Sequence, residues 1–156
     1  MRSRNLTWVV ALGIATVQLL LAAEPGSSSA GPMAVGRAYL QAMEKGDLDA
    51  AERLFAGKSS VFESGGVEGT WRRYREHHIG PELAEVESFT TSPGVAEQEL
   101  STDGTMAMLA WPIDYRIVLK DGKTVDSHGT LTFVMVREGD TYRIRHLHWS
   151  SRKKKV

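Results

Sequence analysis

The residues best suited to chemistry stand in one stretch near the C-terminus, Tyr142-Arg143-Ile144-Arg145-His146-Leu147-His148-Trp149-Ser150. In a strand, alternate side chains share a face, so Tyr142, Ile144, His146, His148 and Ser150 are expected together. With Tyr142 and Ile144 on the core side, both imidazoles project into the interior, where a polar group needs a partner. An H-x-H pair on a strand also aims two imidazoles the same way, a spacing suited to one metal ion. His78 and Glu63 are the candidate further ligands, for zinc or copper. The pattern does not demand a metal, and no cofactor is expected: the same side chains can line a metal-free polar pocket. Met106 and Met108 add a hint of soft copper ligation, but their place on a strand favours packing.

A second chemistry open to these residues is acid–base catalysis. A histidine beside Glu63 is tuned towards neutral pH, because the carboxylate favours the imidazolium. Such a pair can abstract a proton next to a carbonyl, with Tyr74 donating to the developing oxyanion. Trp71, Tyr74 and Trp111 can wall an apolar ligand or simply pack the core. Of the adjacent His77 and His78, only one can point fully inward, and His78 follows Tyr74 at i+4. His128 is expected at the surface. The predicted ligand pocket is therefore Glu63, Tyr74, His78, Trp111, His146 and His148.

These groups need elements to hold them. Gly31-Pro32 opens a helix, which Gly46 stops, and Asp47 caps a second one through Leu48, Ala51, Leu54 and Phe55 that ends near Gly57. Ser59 to Ser64 reads as a strand, closed by Gly65-Gly66. Thr70 caps a third helix through His78, ended by Gly80-Pro81, with a further turn from Pro81 to Val86. The rest reads as strands: Val86 to Thr91 and Val95 to Ser101 around Ser92-Pro93-Gly94, then a long one between the hairpin signals Asp103-Gly104 and Asp121-Gly122. Gly129 to Arg137 and the histidine strand complete an antiparallel meander, giving an α+β architecture. Met106, Met108, Ala110 and Pro112 make the second face of the long strand apolar, as Leu147 and Trp149 do for the last one. A sheet apolar on both sides buries one under helices and the other under a partner, so a homodimer through the outer sheet face is expected.

The chain has 156 residues, 42% hydrophobic and 24% charged, with zero formal net charge. Nothing in that balance points to nucleic acid. Arg2 and Arg4, the apolar run from Trp8 to Ala23 and the small residues up to Ala30 have the layout of a secretory signal peptide, cleaved after Ala23 or Ala30. An exported protein is expected, periplasmic or secreted, with residues 1–30 removed, one domain over 31–152, a solvated basic tail over 153–156, and no stable membrane anchor. The absence of cysteine rules out a disulfide framework and a lipoprotein anchor. No Gly-rich phosphate loop or nucleophile elbow is present.

The Lys45-Gly46-Asp47-Leu48 turn, the strand end Phe62-Glu63-Ser64-Gly65-Gly66, the His77-His78 helix and the terminal strand through Arg152 together resemble the nuclear transport factor 2-like superfamily. Within it the chain looks most like the small SnoaL-like and calmodulin-dependent-kinase-association-domain-like bacterial proteins. The resemblance implies a cone, cystatin-like in fold: a curved antiparallel sheet wrapped around N-terminal helices to enclose a pocket, commonly in a dimer. It supplies no reaction, because such folds serve isomerases, cyclases, dehydratases and binding domains alike. The Asp base of ketosteroid isomerases has no counterpart here. The expected role is binding of a small molecule in the pocket; the alternatives are an isomerase, cyclase or hydratase using a His–Glu pair, or a metal-binding protein using His78, His146 and His148.

Overall fold

The computed structural model describes residues 30–155; the segment read as a signal peptide lies outside them except for Ala30. Helix α1 (Pro32–Glu44) begins with proline at its first turn and ends where Gly46 takes a positive φ of 64°, a conformation that costs glycine nothing. Val35, Tyr39, Leu40 and Met43 bury its apolar face. Gly36 lets that face come close to the sheet, since a Cβ there would stand 2.7 Å from Leu109 Cδ2. Helix α2 (Leu48–Glu52) is capped by Asp47, whose carboxylate accepts from the Ala50 N–H at 2.8 Å.

The second helix is shorter than its periodicity predicts. Strand β1 (Phe55–Glu63) begins where the sequence suggested a last helical turn. Tertiary pairing overrides local pattern there: the Leu54 carbonyl accepts from the Ile144 N–H at 2.8 Å, and Phe55 stacks on Trp71 at 4.4 Å. Strand β2 (Gly66–Gly69) folds back on β1. Helix α3 (Trp71–Tyr74), a π-helical turn (Arg75–Ile79) and helix α4 (Gly80–Ala84) then run on without a break.

Five more strands follow: β3 (Val86–Pro93), β4 (Glu97–Leu100), β5 (Met106–Leu119), β6 (Thr124–Glu138) and β7 (Thr141–Lys153). The sheet order is β2-β1-β7-β6-β5-β3, with β4 also on β5. Strands β3 and β4 do not pair with each other. Both add to β5, and the break between them falls beside Pro112, whose carbonyl accepts from the Gly94 N–H at 2.9 Å. The α+β class and the curved sheet are as expected, but the sheet is mixed, because β1 runs parallel to β7. Leu109, Trp111, Leu131, Phe133, Ile144 and Leu147 form its inner face, buried against Tyr39, Trp71 and Tyr74 from the helices.

Candidate functional site

One residue decides which side of the sheet carries the histidines. Val134 pairs with His146 and Met135 with Ile144, so Arg145 has no partner and forms a β-bulge. A bulge shifts the alternation by one residue. Ile144 faces the core before it, and Leu147 and Trp149 face the core after it. His146 and His148 consequently lie on the outer face, contrary to the expectation that they join Tyr142 and Ile144 inside. The Ser60 hydroxyl and His146 Nδ1 are hydrogen-bonded at 2.8 Å, and the Phe62 ring stands edge-on to the imidazole at 4.9 Å. Desolvation and the neighbouring His148 hold the His146 pKa below the usual imidazole range.

Glu63 takes the inner side by the same logic. Phe62 turns outward and is 38% exposed, so the next residue points in, in register with Trp149. The chain then reverses through Ser64 and Gly65, both at positive φ. The Tyr74 hydroxyl donates to Glu63 Oε2. Burial raises the Glu63 pKa, against the opposing pull of that hydrogen bond and of His78. Tyr39 lies near enough for the Glu63 charge to add to the burial that raises its own pKa, and its hydroxyl has no partner among the described residues.

His78 reaches this carboxylate through the π-helical turn. The Gly80 N–H donates to the Arg75 carbonyl, five residues back. The widening accommodates Pro81, which has no N–H and whose ring would strike the carbonyl four residues earlier in a regular helix. Glycine is needed at position 80, because a Cβ would come within 2.4 Å of the Arg75 oxygen. His78 then stands among three carboxylates: Nδ1 is 3.2 Å from Glu68 Oε2, and Nε2 is 3.2 Å from Glu82 Oε1 and 3.9 Å from Glu63 Oε2. Desolvation pulls its pKa down, but the carboxylates outweigh it and the net direction is up.

Beneath this cluster lies a cavity of about 110 Å³ lined by Glu63, Tyr74 and Glu82 at its polar end. Phe89, Tyr115 and Trp149 form its aromatic walls, and Met43, Ile79 and Leu83 contribute aliphatic surface. Of the six pocket residues expected, Glu63 and Tyr74 line this cavity, and His78 stands directly behind the carboxylates. Trp111 does not line it: it is 1% exposed, donates its indole N–H to the Gly94 carbonyl at 2.9 Å, and packs under α1. Trp149, Glu68 and Glu82 were not singled out by sequence. Glu82 did carry a signal, its i+4 spacing from His78, hidden by reading Gly80-Pro81 as a helix stop.

The metal set suggested by sequence does not assemble. His78 lies on the helix side, and His146 and His148 lie across the sheet from it. No cluster of three or more His, Asp or Glu among the described residues is arranged to hold a metal ion. His128 does reach the surface as expected, but it is paired: Asp114 approaches its Nδ1 at 2.6 Å and Lys154 Nζ at 2.8 Å. The start of the basic tail is therefore bound to the sheet.

The SnoaL-like domain family matches the chain over residues 33–152. No curated protein matches it. Among solved structures, a protein of Shewanella frigidimarina that carries the name of a ketosteroid isomerase is 26% identical, with a TM-score of 0.66 over 80% of this chain and 96% of that one. A nuclear transport factor 2-like superfamily protein of Salmonella enterica is 21% identical, with a TM-score of 0.67 over 78% and 89%. One from Streptomyces avermitilis, named for a dehydratase of the same superfamily, is 18% identical, with a TM-score of 0.65 over 74% and 90%.

Proposed function

Because the chain belongs to the SnoaL-like domain family of the nuclear transport factor 2-like superfamily, we propose that it binds a small organic molecule in the cavity beneath Glu63. The observation that carries this reading is a partly buried carboxylate, oriented by Tyr74, at the polar end of an otherwise apolar and aromatic cavity. Such a site fixes one polar group of a ligand and removes the rest from water. The test is a calorimetric screen of small ring and branched-chain compounds against the protein and its Tyr115→Ala and Trp149→Leu variants. Binding that these two variants leave intact would place the ligand elsewhere and reject the proposal.

A second reading is favoured by the pairing of Glu63 with His78. A carboxyl group whose pKa is raised by burial, held by Tyr74 and within 3.9 Å of an imidazole, has the makings of a general base. This would be an isomerase, cyclase or hydratase that moves a proton on the carbon skeleton. The names carried by the Shewanella and Streptomyces structures support that class. A carbonyl or hydroxyl substrate whose turnover survives Glu63→Gln unchanged would exclude it.

The domain works, in this reading, as an exported homodimer. Support for the dimer comes from the outer sheet face, where Phe62, Met106 and Met108 are exposed. Support for export comes from the N-terminal sequence, and fractionation of the expressing cell tests it. Sedimentation of the protein as a monomer at micromolar concentration would remove the dimer.

A further inference from the structure

We propose that the cavity beneath Glu63 is selective for a small organic cation, an alkylated ammonium group, over a neutral or anionic ligand of the same shape. The inference rests on that cavity being the ligand site. It follows from what forms the walls. Tyr115 meets Phe89 at 5.7 Å and 89°, and Trp149 at 5.7 Å and 79°. Tyr115 thus stands nearly at right angles to both other rings, while Phe89 and Trp149 are tilted by 38° at 6.2 Å. The rings therefore turn π-faces in more than one direction, and the faces of aromatic rings are electron-rich. Tyr74 adds a fourth ring beside the polar end.

The charge at that end has one sign. Glu63 and Glu82 line the cavity, and none of the described residues that line it is Lys, Arg or His. The nearest cationic group is His78, which three carboxylates share: Glu63, Glu68 and Glu82. A protonated imidazole still leaves that cluster negative. An anionic ligand is repelled, and a neutral one gains only burial. A cation gains the carboxylates and the ring faces at once, in a site partly shielded from water.

Size narrows the class. The cavity of about 110 Å³ is smaller than the roughly 150 Å³ that takes up benzene, which suits a trimethylammonium-sized group.

Three probes of one shape provide the test: choline, its neutral carbon isostere 3,3-dimethylbutanol, and the anion 3,3-dimethylbutanoate. Each is titrated calorimetrically into the purified protein. The expected result is choline binding on the order of tenfold more tightly than the alcohol, with no binding of the anion. Glu63→Gln removes most of that preference. If that variant does not fold, Glu82→Gln, at an exposed side chain, must still reduce it. Equal binding of choline and the alcohol overturns the inference but leaves the ligand-pocket reading standing. Binding of none of the three probes overturns the inference; if the screen of ring and branched-chain compounds is also empty, the ligand-pocket reading falls with it. A preference that survives in both variants overturns the inference as well.

Discussion

Replacing Tyr74 with Phe removes one oxygen from the protein and tests the environment of Glu63. The Tyr74 side chain is 2% exposed and its hydroxyl donates to Glu63 Oε2. In Tyr74→Phe the ring still packs against Trp71 and His78, so the change isolates the hydrogen bond. Bonds to a charged group contribute about 1.5–3 kcal/mol. The Glu63 side chain keeps 20% exposure and His78 stands nearby, so partial compensation places the expected loss near the lower end, about 1.5 kcal/mol. For a domain of this size that lowers Tm by roughly 5 °C. The loss depends on pH in a definite sense. The hydrogen bond lowers the Glu63 pKa against the upward push of burial, so the variant's Glu63 titrates higher than the wild type's. Below that range Glu63 is protonated in both proteins and the difference narrows. Urea unfolding at about pH 7.5 and pH 4 reads both effects. An equal loss at the two pH values, or no loss at either, would refute the assignment of Tyr74 as the carboxylate's donor.

Other positions give sharp expectations. Gly80→Ala places a Cβ 2.4 Å from the Arg75 carbonyl oxygen, so it should cost about 2 kcal/mol or more and displace His78, visible as a changed His78 titration by NMR. Asp47→Ala loses the cap on α2 and should cost about 1 kcal/mol, measured by denaturant midpoint, with the cavity unaffected. Both Glu63 and His78 have raised folded pKa values, so their contributions to stability are fully present below the unfolded values of 4.5 and 6.5 and are lost as pH rises through the folded ones. Glu63→Gln should therefore flatten stability against pH from about 4.5 upward, and a curve identical to wild type would contradict the burial of that carboxyl. Deleting Arg145 should prevent folding, because without the bulge either Ile144 or the Leu147–Trp149 pair must face water; a folded deletion variant would show that the bulge does not set the register.

Much of the fold could be read from local signals. The proline start and glycine stop of α1, the Asp47 cap and the Gly104 and Gly122 turns each act within a few residues. The parallel pairing of β1 with β7 is long-range and leaves no such trace. The site was read in part. Glu63, Tyr74 and His78 come together because Phe62 turns outward and Tyr74 and His78 share a helical face. His146 and His148 were assigned to the wrong side because one unpaired residue reverses the pleat. The sequence does contain the reversal: Ile144 is apolar on one parity, and Leu147 and Trp149 on the other. Two apolar phases along one strand can mean a sheet buried on both faces or a bulge between them, and composition does not distinguish the two. Glu68 and Glu82 come to His78 only because the helix widens around Pro81 instead of ending there.

The proposed function puts ligand recognition on the inner side of the curved sheet, at Glu63 and Tyr74, and not at the histidines of the last strand. Chemical-shift mapping of the labelled protein with choline tests it most directly. Shifts are expected at Glu63, Tyr74, Tyr115 and Trp149, with the His146 and His148 imidazoles unmoved. Shifts centred on those two histidines and Ser60, with the cavity residues silent, would contradict it.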